Sequence, residues 1–69
     1  MVKLNLRVLM AKKEVNQKQL YSDTGINKDT INRYYNNTFK SISPKHIEIL
    51  CRYFKCEIQD LIKVNIYDK

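Results

Sequence analysis

Asn27, Lys28, Asp29, Thr30, Asn32, Arg33 and Asn36 are packed into ten residues around a helical spacing, and their side chains are donors and acceptors suited to base edges and phosphates. An asparagine amide can make paired hydrogen bonds to adenine and an arginine fork can do the same to guanine. A lysine supplies a guanine contact or neutralises a phosphate. On a helix, Ile31, Tyr34 and Tyr35 recur at i, i+3 and i+4, so they form the inward face and leave Lys28, Asp29, Asn32, Arg33 and Asn36 pointing out. The carboxylate of Asp29 would be repelled by phosphates. It is therefore expected to cap its own helix, where the positive N-terminal end favours it, or else to accept from a cytosine amino group.

Two elements must position that face. Asn16 is an N-cap residue and Gln19 three residues on completes an arrangement close to a capping box, which starts a first helix at Gln17. Gly25, the only glycine, can take the left-handed conformation that ends it. Asn27 caps a second helix, expected over Lys28–Asn36. The stretch QKQLYSDTGINKDTINRYYN is thus a short helix, a tight turn and a second short helix with a polar outer face.

This stretch resembles the helix-turn-helix of the Cro/repressor type, the XRE family of bacterial and phage transcription regulators. The resemblance rests on LRVLM at 6–10, QKQL at 17–20, TGI at 24–26, TINR at 30–33 and CEIQDL at 56–61, and so covers nearly the whole chain. It implies a compact, all-α, five-helix bundle of the lambda-repressor-like type, forming one DNA-binding domain over 1–69. It also implies that Gln17 meets a phosphate and that Asn27, Lys28, Asp29, Asn32 and Arg33 line the reading face. Tyr21 stands where the family usually has alanine and Tyr35 where it usually has glutamate. The expected result is a slightly splayed or repacked helix pair, without loss of the fold.

The remaining helices provide the scaffold. Leu6, Leu9 and Met10 form the stripe of a first helix ending near Glu14, with Val15 closing the gap to Asn16. Its other face, with Arg7, Lys12 and Lys13, is expected to be solvated. Residues 37–43 read as a loop, where the resemblance makes Thr38, Lys40 and Ser41 candidate phosphate contacts and where Phe39 is expected to fold onto the core. Ser43 and Pro44 announce a fourth helix, serine as N-cap and proline at the first helical position. Its stripe is Ile47, Leu50, Cys51 and Phe54, and His46 in its first turn is expected to face solvent. A last helix near Glu57 would turn Ile58, Leu61 and Ile62 inward. Residues 1–6 and 63–67 both alternate in polarity, so the two ends could pair as a short β-ribbon, or the tail could pair with its copy in a second chain.

Composition limits the alternatives. Thirteen Lys and Arg against seven Asp and Glu give a net charge of +6, which suits a polyanionic partner. No apolar run approaches the ~20 residues that span a bilayer. MVKLNLRVLM is interrupted by Lys3, Asn5 and Arg7, so a cytoplasmic protein with no signal peptide and no membrane partner is expected. Cys51 and Cys56, five apart with one inside a helix and one after it, read as a poorly placed disulfide pair, both reduced. No metal site or cofactor is expected from two cysteines and one histidine. No nucleophile with a base and no glycine-rich phosphate loop suggests an enzyme.

The expected function is therefore sequence-specific binding of double-stranded DNA by a small regulator, probing the major groove with Lys28–Asn36. A single helix reads only about four to six base pairs, so a homodimer on a two-fold site is expected. Its surface would draw on Ile49, Tyr53, Val64, Ile66 and Tyr67, apolar residues in excess of what one core needs. Burial of Val64, Ile66 and Tyr67 under the N-terminal strand is the competing explanation. The alternative function is a protein-interaction module of the antitoxin or antirepressor kind, anchored by Tyr34, Tyr35 and Phe39.

Overall fold

The computed structural model describes residues 2–64. In chain order they form β1 (Val2–Leu4), α1 (Leu6–Lys13), α2 (Gln17–Thr24), α3 (Lys28–Asn36), α4 (Pro44–Phe54), α5 (Ile58–Leu61) and β2 (Ile62–Val64). Every helix contributes to a common core. Leu6, Leu20, Ile31, Leu50 and Leu61 are fully buried there, one from each of the five helices, with Leu9, Met10, Ile26 and Tyr34 around them. Such burial, at about 25 cal/mol per Å² of apolar surface, is what offsets the ordering of short helices that would not persist alone.

Helix ends follow their local chemistry. The Asn16 side chain accepts from Gln19 N–H at 2.8 Å and the Asn27 side chain from Asp29 N–H at 2.8 Å. Ser43 Oγ accepts from Lys45 N–H at 3.2 Å beside Pro44. The reciprocal half of the expected box at Asn16 is replaced, because the Gln19 amide donates to Asp23 Oδ1 at 2.8 Å. At the other ends, α1, α3 and α4 each stop on a left-handed residue that is not glycine, Glu14, Asn37 and Lys55, while α2 stops on Gly25 at φ 75°. The first three close with paired bonds to the last turn, Val15 N–H to Met10 O, Thr38 N–H to Arg33 O and Cys56 N–H to Cys51 O, each at 3.0 Å.

The two chain ends meet as an antiparallel pair, Val2 opposite Val64, Lys3 opposite Lys63 and Leu4 opposite Ile62. A two-stranded ribbon is marginal by itself. Here Leu4 is buried, and its outer edge is held by the Asn37 amide, which accepts from Leu4 N–H at 2.7 Å and donates to Leu4 O at 3.3 Å. Asn5 N–H adds a bond to Leu61 O at 2.7 Å.

This ribbon alters the expected last helix. The chain leaves α5 after a single turn to pair with β1, so Ile62 caps the helix and opens β2, half-buried. Only Leu61 is carried inward, and Ile58, at the start of the turn, is 53% exposed instead of belonging to the core. Glu57 N–H donates to Asp60 Oδ2 at 3.1 Å, which fixes the start of that turn. Val15, Ile47 and Phe54 pack half-buried at the margin of the core, whereas Leu4 lies within it. Tyr21 is accommodated half-buried against the core, with α2 and α3 still in contact. No helix among the described residues is long and apolar enough to cross a membrane.

Candidate nucleic-acid interface

The polar side of α3 is exposed at Lys28, Asp29, Asn32, Arg33 and Asn36, while Ile31 and Tyr34 are buried beneath it. Asn27 is committed to capping, its Oδ1 shared between Asp29 N–H at 2.8 Å and Thr30 N–H at 3.4 Å. The cap is thus the asparagine. Asp29 supplies only charge in the first turn, which the helix dipole favours.

One edge of α3 carries a file of hydrogen-bonded amides. The Asn32 amide donates to Gln17 Oε1 at 3.4 Å, and the Asn36 amide donates to Asn32 O at 3.1 Å and to Asn32 Oδ1 at 3.3 Å. Arg7 closes the file from α1. Its guanidinium donates through Nε to Tyr35 O at 3.1 Å and through Nη2 to Asn36 Oδ1 at 3.0 Å, and lies over the Tyr35 ring at 4.6 Å. Sequence alone assigned Arg7 to a solvated face. An arginine three residues before the helical stripe residue Met10 carries no local signal of a bond made 28 residues away. Tyr35 offers the Arg7 cation a ring face and its own carbonyl, both of which attract it.

Two open depressions border the helix pair, one between α1 and the start of α2 that meets α3 only at Tyr35, and one beside α3 itself. On the Gln17 side, Arg7, Gln17, Lys18 and Tyr35 line one with Asn16 and Val15. On the other side, Thr30, Arg33, Thr38, Lys40, Ser41 and Ser43 converge around a groove of about 580 Å³ floored by Tyr34, Phe39 and His46. No acidic side chain lines either depression among the described residues. The groove therefore gathers Thr30, Arg33 and Lys40 with the loop hydroxyls. Phe39 packs edge-on to Tyr34, with ring centroids 5.6 Å apart, as a core-directed side chain. His46 does not simply face solvent. It is half-buried, with Nδ1 2.7 Å from the Tyr34 hydroxyl. Burial pushes that hydroxyl above the usual tyrosine range, against an opposing hydrogen bond from the Ser43 backbone.

Of the residues considered for a second chain, Ile49 packs half-buried on the core. Tyr53 is tied to α2 of its own chain, its hydroxyl donating to Asp23 Oδ2 at 2.6 Å while Lys13 Nζ lies 5.0 Å from its ring. Val64 is 60% exposed opposite Val2, so pairing with the N-terminal strand does not bury it. Ile66 and Tyr67 lie outside the described residues.

A helix pair packed on the core through Leu20, Ile31 and Tyr34, with a basic, amide-lined outer face, defines a helix-turn-helix domain. Residues 5–65 match the Cro/C1-type HTH DNA-binding domain, and the chain belongs to that family. A comparison with curated proteins finds no match. Among solved structures, a candidate DNA-binding protein from Bacteroides fragilis superimposes with a TM-score of 0.80 at 21% identity, over 91% of this chain and 100% of the other. At that identity the likeness speaks for the fold.

Proposed function

We propose that this domain binds double-stranded DNA sequence-specifically as a small cytoplasmic transcription regulator, a repressor, with α3 in the major groove. The observation that carries the reading is the pair of acid-free depressions bordering the helix pair, one between α1 and α2 holding Arg7 and Lys18 and touching α3 at Tyr35, the other beside α3 holding Arg33 and Lys40. A helix in the major groove has a phosphate backbone on each side, and cations beside the helix match that layout. Asn32 and Arg33 read base edges; Gln17, Lys28 and Lys40 hold phosphates. Specificity on a useful scale calls for a homodimer on a two-fold site. The exposed Val2 and Val64 supply uncovered apolar surface for it, with Ile66 and Tyr67 as further candidates. The reading assigns the chain no catalytic role and no cofactor. A protein-binding module draws less support, since Tyr34 is in the core, Phe39 packs on it and Tyr35 lies under Arg7.

Selection of sites from a random duplex pool, run with the parent and with the Asn32→Ala, Arg33→Ala double variant, tests this. A two-fold motif enriched only by the parent is the expected result. On that motif Arg33→Ala should cost about 1–3 kcal/mol and relax the sequence preference, whereas Lys40→Ala should weaken all duplexes alike and lower the salt slope by about one. Equal losses for Arg33→Ala on cognate and random DNA would move Arg33 to the phosphates. Folded parent protein that enriches nothing would overturn the proposal.

A further inference from the structure

The end of α4 reverses the expected separation of the two cysteines. Along a straight helix, residues five apart are separated by about 7.5 Å of rise and point to different sides. Here Lys55 takes the left-handed conformation, φ 53° and ψ 48°, and turns the chain back on itself. Its N–H bonds Arg52 O at 3.3 Å, and Cys56 N–H bonds Cys51 O at 3.0 Å. In this termination the side chains before and after the turn meet, and here both are cysteines. A bond of that length between their own backbones limits the Cα separation to about 6.9 Å even with all segments collinear. Any bend brings the pair within the about 4.4–6.8 Å that disulfides accept. Both thiols are free and half-buried. Burial pushes the Cys56 thiol up, and the charge and hydrogen bond of the adjacent Cys51 thiol, then the charge of Asp60, push it the same way.

We infer that Cys51 and Cys56 are a dithiol assembled by the fold, a modification site that closes to an intramolecular disulfide by exchange with a low-molecular-weight disulfide. One cysteine, as thiolate, attacks a sulfur of the small disulfide and displaces its other half as a thiolate. The second cysteine attacks the resulting mixed disulfide, forming the Cys51–Cys56 bond and displacing the remaining half. The pair loses two electrons, the small disulfide gains them, and the two cysteine protons end on the two small thiols released. The new bond would staple the end of α4 to the residue preceding Glu57, fixing the turn that leads into α5 and β2.

The test equilibrates the full chain with reduced and oxidised glutathione, in native buffer and in denaturant, and reads intact mass after alkylation. Loss of two hydrogens by the monomer, with both alkylation sites disappearing together, is the expected product, and the oxidised protein should melt above the reduced one. Because the fold holds the thiols together, the exchange constant should be at least about tenfold larger in native buffer than in denaturant, about 30 mV in potential. Cys56→Ser should stop at a single mixed disulfide. A native constant no larger than the denatured one, or accumulation by the parent of mixed disulfides or chain-to-chain dimers, would overturn the assignment.

Discussion

Replacing Arg7 with alanine removes a side chain that joins α1 to the polar edge of α3. The structure gives it two hydrogen bonds, at 3.1 Å and 3.0 Å, and a ring contact at 4.6 Å. Both hydrogen bonds are exposed and the half-buried Tyr35 ring meets an exposed arginine, so the lower ends of the usual ranges apply: roughly 0.5 kcal/mol for each bond and about 0.5 kcal/mol for the cation over the ring. The expected loss is therefore about 1.5 kcal/mol. For a domain of this size that lowers the melting temperature by about 6–12 °C. Arg7→Lys keeps a charge over Tyr35 but cannot bond Tyr35 O and Asn36 Oδ1 together in the same planar fork, so it should recover less than half of the loss. Thermal denaturation followed by circular dichroism measures both variants. A second reading follows at the Asn36 amide, which Arg7 anchors on its oxygen while its nitrogen holds Asn32. Arg7→Ala should therefore lower the ratio of cognate to random DNA binding, a change that lost stability does not produce at temperatures where the variant is folded. An unchanged melting temperature would show that the clamp contributes nothing, and the account of how α1 orients the polar face of α3 would fail with it.

Leu50, fully buried, and Ile58, 53% exposed, give a paired test of the core. Leu50→Ala should cost about 2–5 kcal/mol and leave much of the population unfolded, while Ile58→Ala should stay within about 0.5 kcal/mol in urea titrations. The Asp23–Tyr53 bond should make stability fall at both extremes of pH. The hydrogen bond from Tyr53 leads in holding the Asp23 carboxyl below its ordinary 3.8, with those of Gln19 and the charge of Lys13 adding and slight burial opposing. Its contribution is present above pH 3.8 and lost as pH falls through the lowered value. Tyr53, pushed from 10.0 up to about 12 chiefly by its bond to Asp23, contributes below pH 10.0 and loses that contribution as pH rises through about 12. Tyr53→Phe should flatten both limbs, and a pH profile of melting temperature identical to the parent's would remove the linkage. Glu14→Gly, at a left-handed φ of 59°, should stabilise by about 0.5–1 kcal/mol, and a lower melting temperature would show that the glutamate conformation is not strained.

Much of the fold is legible residue by residue. Asn16, Gly25, Asn27, Ser43 and Pro44 mark helix ends because their effects are local, a side chain reaching a backbone donor two or three residues away or a backbone able to turn left-handed. The stripes of Leu6, Leu9 and Met10, and of Ile31 and Tyr34, are periodic and so visible. Ile58 failed as a core residue because a single helical turn has too little period to show which side is in. The helix ends near Glu14 and after Asn36 are legible, and asparagine at 37 is a residue type that tolerates a left-handed stop, but the left-handed backbone at Glu14 and Lys55 is not, since nothing in those residue types demands it. His46 was misread because its partner, Tyr34, lies on another helix.

The sequence by itself determined the helix-turn-helix, its outward polar face and the positive charge, all consequences of spacing and local bonding. Only the tertiary structure decided what those side chains do to one another. It committed Asn36 to Arg7 and Tyr53 to Asp23, gathered Arg33 and Lys40 around one groove, paired Leu4 with Ile62 and folded Cys56 back onto Cys51. Those contacts join residues whose separation in the chain carries no periodic signal, or they hinge on a single backbone angle, and both are fixed only when the helices pack.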